Sequence, residues 1–447
     1  MKARPDWLSF ESFAREAMER ERIAGVAAGV SVAGEVVYAN GLGHRDIAAG
    51  QPVSPRTVFG IASVSKSFAA LAVMQLVDEG LLDPLAPVVD YLPEFTIPGA
   101  QDIRAIKVHH CLSHTTGLPP LKRRQGEFTE FGQHLAYLGG YETDLLGYPG
   151  QYLSYCNDAF MVSGALVERL TGKRFRDHVC KGVFEPLGMQ RTTYHIADLE
   201  SWDDVTNLYD LDDSRTELLT QPWPELGTYH VGGGIRSTVL DLLSYGDMYC
   251  ALGRSPSGER IVSEAGVLRM RQPVYPTEPG TYYGYGLRNT PAYHGVSLVE
   301  HGGSLPGVSC KWGYMPETRT SLVVLTNVRG VPADWLWQGL ANTVLGLEPG
   351  TPRSPSPPTF AVTPGDLEGL LGTYAADEGA RAGVKASGGG GLVGEIDGQT
   401  LPLRMTSPDT AVYESQGQEK MLTWYRDAGG MAWAVKLGVR MVRRTPQ

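Results

Sequence analysis

A proline-dense break, LEPGTPRSPSPPTFAVTPGD from Leu347 to Asp366, divides this chain of 447 residues into two unequal parts. Proline lacks the N–H that a helix interior or a central strand must supply, so the stretch cannot belong to either. Its composition predicts a linker over 349–365, between one folding unit over 1–348 and a second over 366–447. The length is also what two domains would need.

Before the break, strand-like runs lie at both ends and helical patterns lie between them. VAAGVSVAGEVVYANGLG, Val26 to Gly43, reads as two β-rich runs flanking a hairpin turn at Gly34-Glu35. YGYGLRNT, HGVSLVEHGG, VSCKWGYMP and TSLVVLTNV follow after residue 280. Residues 84 to 225 mix short helical patterns with Pro/Gly loops. This order predicts an α+β fold: one antiparallel sheet closed by distant segments, flanked by helices, with an inserted mainly helical region. The N-terminal MKARPDWLSFESFAREAMERER reads as an amphipathic helix with Leu8, Phe10, Phe13 and Met18 as core positions. Ser63 to about Leu82 reads as a buried helix stopped at Gly80. Two more helical stretches end near Gly172 and begin at an N-cap on Ser237 or Thr238. Beyond the break, LEGLLGTY, GLVGEIDG, TLPLRMT, TAVYES, MLTWYRD and MAWAVKL predict a small antiparallel β-domain or barrel.

Composition narrows the partners. Hydrophobic residues are 42% and charged residues 20%, as in ordinary globular proteins. A net charge of −10 argues against nucleic acid, whose phosphates call for a basic face. No stretch reaches the roughly 20 apolar residues of a membrane span, and the N-terminus has no secretory-signal pattern. Five widely spaced cysteines, Cys111, Cys156, Cys180, Cys250 and Cys310, suggest reduced thiols and a cytoplasmic location.

FGIASVSKSF, Phe59 to Phe68, carries the chemistry. Ser63 and Lys66 are three apart, within contact on one helix face. Ser63 would sit where unpaired N–H groups favour developing negative charge. Lys66, beside the run FAALAVM, would be desolvated and would lose basicity, which activates a neighbouring hydroxyl. YLSYCNDAF places a phenol, Tyr155, two residues from an amide, Asn157. A phenol beside an ammonium can act as a general base, and an amide can bond a substrate carbonyl. VEHGGSLPGVS places His301, Gly302, Gly303 and Ser304 at a strand end, where a backbone N–H can complete an oxyanion hole. Each element alone is also compatible with a structural role.

Together and in this order they resemble the serine β-lactamase and D-alanyl-D-alanine-peptidase superfamily, with its S-x-x-K, Y-x-N and K/H-x-G motifs. TVFGIASVSKSFAALAVMQLVDEGLLDPLAPVVDYLPEF, IKVHHCLSHTTGLP and GGGIRSTVLDLLSYGDMY are similar to further segments of that family. The resemblance covers about residues 10 to 345 and is nearest to the class C β-lactamase-like branch of esterases and D-aminopeptidases. It implies an acyl-enzyme on Ser63, a proton shared by Lys66 and Tyr155 with Tyr155 as base and then acid, and substrate positioning by Asn157. It also implies an oxyanion hole from the N–H groups of Ser63 and Ser304, with no metal and no organic cofactor. The C-terminal part resembles the lipocalin-like domain of some relatives, which could cover the site mouth or join protomers into a homo-oligomer.

One departure matters. His301-Gly302-Gly303 stands where class C β-lactamases carry Lys-Thr-Gly, which weakens the anchor for a β-lactam carboxylate. The substrate expected is a small molecule or short peptide with an ester or amide bond, and a D-amino-acid peptide is one candidate. A weak β-lactamase, an acyltransferase and a non-hydrolytic penicillin-binding-like sensor stay open. His109, His110 and His114 lack the carboxylate partner of a metal motif, Trp335 and Trp337 read as core, and Pro119 to Tyr141 reads as a polar loop able to wall or cover the cleft.

Overall fold

The computed structural model describes residues 5–388, 391–396 and 398–446. The first four residues of the N-terminal stretch and Asp397 of GLVGEIDG lie outside that description. Among the described residues, nine strands form one antiparallel sheet. Its order runs Gln51–Pro52, Glu35–Asp46, Gly25–Val32, Thr320–Thr326, Val308–Met315, Val296–Leu305, Arg288–Tyr293, Thr281–Tyr283, Tyr275–Glu278. The N-terminal hairpin therefore pairs with a strand almost 300 residues away, with Val26 opposite Thr326 and Val32 opposite Thr320. This is the sheet closed by distant segments that the strand distribution predicts. The hairpin turn falls on Ala33 and Gly34, both at positive φ, one residue earlier than the expected Gly34-Glu35.

Both faces of the sheet are covered. Along Gly25–Val32, Val26, Ala28 and Val30 face the helices Trp7–Glu21 and Ala333–Leu345. Ala27 faces the larger core around Ser65–Asp78 and Val239–Cys250, as period-two alternation requires. Covering on both sides explains why Thr320–Thr326 is buried at every position. Phe10, Ala14 and Ala17 make the buried face of the first helix, whereas Leu8 is 76% exposed. Residues two apart on a helix point roughly 200° from one another, so Leu8 cannot share the face of Phe10. Thr238 is the N-cap of Val239–Cys250, accepting from the N–H of Asp241. Trp337 is fully buried, and Trp335 packs on Phe13.

The stretch expected as one helix from Ser63 is in fact two elements. Ala62–Val64 is a 3₁₀ turn, and the α-helix spans Ser65–Asp78. That helix is apolar nearly all round and buried on all sides, as such a helix must be. Pro119 to Tyr141 is also more ordered than a loop, since it contains the helix Phe131–Gly140.

After the proline-dense stretch, eight strands close into an up-and-down barrel, with Tyr374 of the first pairing Arg444 of the last. Closure removes the unpaired edges of a small sheet. Sequence patterning shows six of these strands. Arg381–Ala386 and Arg440–Arg444 escape it, because one carries a glycine and the other three arginines. Residues 347–363 carry no helix or strand, yet they are strapped down. Arg353 pairs with the fully buried Glu300 at 3.0 Å, and Gln338 and Asn342 both donate to the carbonyl of Thr351.

Candidate active site

The nucleophile candidate is set by a backbone turn. Ala62 holds φ at +44°, uncommon for a residue with a side chain, and the 3₁₀ turn leads straight into the buried helix. The strand Val296–Leu305 presses on this turn. A Cβ on Gly303 would stand 2.4 Å from the carbonyl oxygen of Ile61, whereas one on Gly302 would meet nothing closer than 3.6 Å. The missing side chain of Gly303 thus lets the strand pack against the turn that carries Ser63.

Lys66 follows one helical turn later. Its Nζ donates to Ser63 Oγ at 3.2 Å and to the carbonyl of Gly232 at 3.0 Å. Burial drives its pKa well below the ordinary lysine value, and the guanidinium groups of Arg123 and Arg440 push the same way. Tyr155 shares a side-chain hydrogen bond with Ser63, and Lys66 Nζ lies 5.0 Å from its ring centre. Burial raises the Tyr155 phenol to about 12, against the lowering effect of the Ser63 hydrogen bond and Arg440. Asn157 opens the helix Asn157–Thr171. Ser63, Asn157, Gly232 and Ser304 line one small cavity of about 20 Å³, room for roughly one water.

His301 lies outside that lining. It is 4% exposed, its Nε2 is 2.9 Å from the hydroxyl of Tyr283, and its ring sits 6.3 Å from that of Tyr155. Burial and the nearby Lys66 lower its pKa to about 3, so the imidazole is neutral. Ser63, Asn157 and Ser304 thus line the cavity, while Lys66, Tyr155, Gly303 and His301 lie outside its lining, Lys66 in contact with Ser63 and His301 beside Tyr155.

Sequence reasoning missed several groups. His114 stacks on Tyr155 with ring centres 4.0 Å apart, and its Nδ1 accepts from the N–H of Cys156 at 3.3 Å. Its signal was present in the LSHTTGLP run. Cys156 is fully buried, which closes it to a thiol reagent. Among the described residues no His/Cys/Asp/Glu group could hold a metal. Arg123 belongs to the inserted region, and Glu378 and Arg440 to the barrel. Asn157 Nδ2 donates to Glu378 at 3.3 Å, and the Arg440 guanidinium lies 5.1 Å above the Tyr155 ring. Nothing in the local sequence marks either barrel residue.

A family model described as Beta-lactamase matches residues 10–341. The chain belongs to the β-lactamase family. This family member is 29% identical over 385 residues to penicillin-binding protein 4 of Amycolatopsis lactamdurans, covering 80% of this chain and 94% of that one. It is 27% identical over 352 residues to a D-aminopeptidase of Brucella anthropi, covering 76% of this chain and 63% of that one. Among solved structures it is similar to the octameric penicillin-binding protein homologue from Pyrococcus abyssi. There the TM-score is 0.73 at 28% identity, over 98% of this chain and 100% of that one. These relationships make the protein a serine hydrolase of the β-lactamase type.

Proposed function

We propose that the protein cleaves an ester or small amide bond through an acyl-enzyme on Ser63. The observation that carries this is the 3.2 Å contact between Ser63 Oγ and a buried, weakly basic Lys66 amine. Neutral Lys66 takes the Oγ proton as Oγ attacks the substrate carbonyl carbon. The carbonyl oxygen, now negative, is held by the N–H groups of Ser63 and Ser304. When the tetrahedral intermediate collapses, the leaving group takes a proton from the Tyr155 phenol, and Lys66 returns its proton to Tyr155. Water then attacks the acyl carbonyl by the same route in reverse and frees Ser63.

This divides the labour differently from the expectation in which Tyr155 is the base. A phenol held near 12 keeps its proton at neutral pH and suits the acid, while a desolvated amine suits the base. Asn157 Nδ2 is placed to bond the acyl side of the substrate. A short D-amino-acid peptide or its ester is the substrate class we favour, supported by the likeness to a D-aminopeptidase. A cytoplasmic location is part of the reading and rests on five unpaired cysteines. Homo-oligomers remain compatible with it, since the similar structure from Pyrococcus abyssi is octameric.

The test is initial rates of wild type and Ser63→Ala on a short-chain p-nitrophenyl ester, a D-alanyl anilide and a chromogenic cephalosporin. Ser63-dependent turnover of the ester or the anilide supports the proposal. Turnover that survives Ser63→Ala overturns it.

A further inference from the structure

Glu378 lies on the turn between the barrel strands Gly372–Ala375 and Arg381–Ala386, a place where side chains normally meet water. Its side chain is nevertheless 6% exposed. The carboxylate is held over the catalytic cleft by three donor residues, one from the barrel and two from the inserted region. Arg440 donates through Nε to Oε2 and through Nη2 to Oε1, both at 3.1 Å, a bidentate pair. Arg123 of the inserted region donates to Oε1. Asn157 Nδ2 donates to the same oxygen at 3.3 Å. Asp377, its neighbour, accepts from the hydroxyl of Tyr141.

The Arg123 and Arg440 guanidinium groups face the Glu378 carboxylate, the buried Asp158 carboxylate, raised to about 7 by burial, also acts on Arg123, and Lys66 and His301 are driven toward their neutral forms. The Nε of Arg123 is buried and has no hydrogen-bond partner. Such a cluster has unused capacity for an anion. Its position is that of a substrate group, because Asn157 lines the cavity beside Ser63 and Arg440 covers Tyr155. The cavity that Ser63 and Arg123 share has room for little more than a water, so a substrate must displace what stands over it.

We propose that Arg123 and Arg440 form a receptor for a substrate carboxylate, and that Glu378 occupies this receptor in the free enzyme as a built-in competitor. The proposal rests on the reading above only in assigning this cleft to substrate. It returns to the enzyme the carboxylate anchor that His301-Gly302-Gly303 lacks, and takes it from the barrel and the insert. A neutral substrate must work against the Glu378 latch without compensation, whereas a carboxylate replaces it like for like. A tethered competitor acts at an effective concentration in roughly the millimolar range, so the latch filters ligands without sealing the site.

The experiment measures binding, not turnover, and so does not depend on the acyl-enzyme route. N-acetyl-D-alanyl-D-alanine and its C-terminal amide are titrated calorimetrically into the full-length Ser63→Ala protein. The same titrations are made with Glu378→Gln and with Arg440→Gln added to that background, each first shown by a cooperative melt to be folded. The expected result is at least tenfold preference for the carboxylate over the amide. Glu378→Gln should widen that preference by a further threefold or more, and Arg440→Gln should bring it close to one. Equal affinities for the two ligands, an unchanged preference in both variants, or no binding to the Glu378→Gln protein would overturn the proposal. Loss of Ser63-dependent turnover in wild type would instead count against the acyl-enzyme reading alone.

Discussion

The backbone N–H of Tyr155 donates to the carbonyl of Val439 at 2.8 Å, so the segment carrying the phenol and the last hairpin of the barrel share a main-chain hydrogen bond. Around it, Leu153, Tyr155 and Tyr283 pack with Val439, and Leu146 packs with Ala434 and Met441. The barrel thus packs directly against the segment that carries Tyr155 of the candidate site.

Met441 is fully buried in that contact. Met441→Ala should cost about 2–5 kcal/mol by loss of buried area and the cavity left behind. It should also lower kcat/KM on a neutral ester, because the packing that orders Tyr155 loosens. Thermal melts and initial rates on the same preparations check both. A destabilised variant with full activity would show that Tyr155 is ordered without the barrel.

Ser63→Ala should abolish turnover with an unchanged melt. Lys66→Ala and Tyr155→Phe should each slow acylation by about 10² or more if they move protons in that step. Stopped-flow measurement of the first turnover separates acylation from the later water attack.

Gly303→Ala and Gly302→Ala form a matched pair. The first would force a Cβ to 2.4 Å from the Ile61 carbonyl and 3.0 Å from Ala62 Cβ, and so must shift the turn that carries Ser63. The expected loss in kcat is tenfold or more. The second has 3.6 Å of clearance and should retain most activity. Equal effects in the two variants would show that the close approach of the strand is unimportant.

His301 titrates near 3 in the fold, against about 6.5 in an unfolded chain. Between those values the unfolded state binds a proton that the native state refuses, so this residue makes stability rise with pH across the window and fall on acidification. A full proton contributes a slope of roughly 1.4 kcal/mol per pH unit. Denaturant unfolding of wild type and His301→Asn at pH 7, 6 and 5 should show a shallower acid loss in the variant. Parallel slopes would mean that His301 binds its proton equally in the native and unfolded states.

Much of the catalytic part is legible in the sequence. Ser63 and Lys66 are one helical turn apart, so local geometry alone brings them into contact. Thr238 and Gly172 mark helix ends through their own cap chemistry. The strand runs at both ends of the catalytic part required a sheet that joins them, and Val26 does pair with Thr326. Leu8 was misplaced because an apolar residue in a helix can face solvent at small cost, and only the partner surface says which face is buried.

By itself, then, the sequence determined the family, the Ser63–Lys66 pair and the existence of a β-rich C-terminal part. These follow from short-range spacing, where a few bonds set the geometry. Tertiary structure alone decided how deeply Lys66 and Tyr155 are buried, which pulls the pKa of the amine down and pushes that of the phenol up, because desolvation depends on everything packed around a group. It also decided that Glu378 and Arg440 stand over the cleft, 221 residues beyond Asn157 in the case of Glu378. A turn and a hairpin carry no local mark of what they will touch, and the docking that places them is summed over a surface drawn from both parts of the chain.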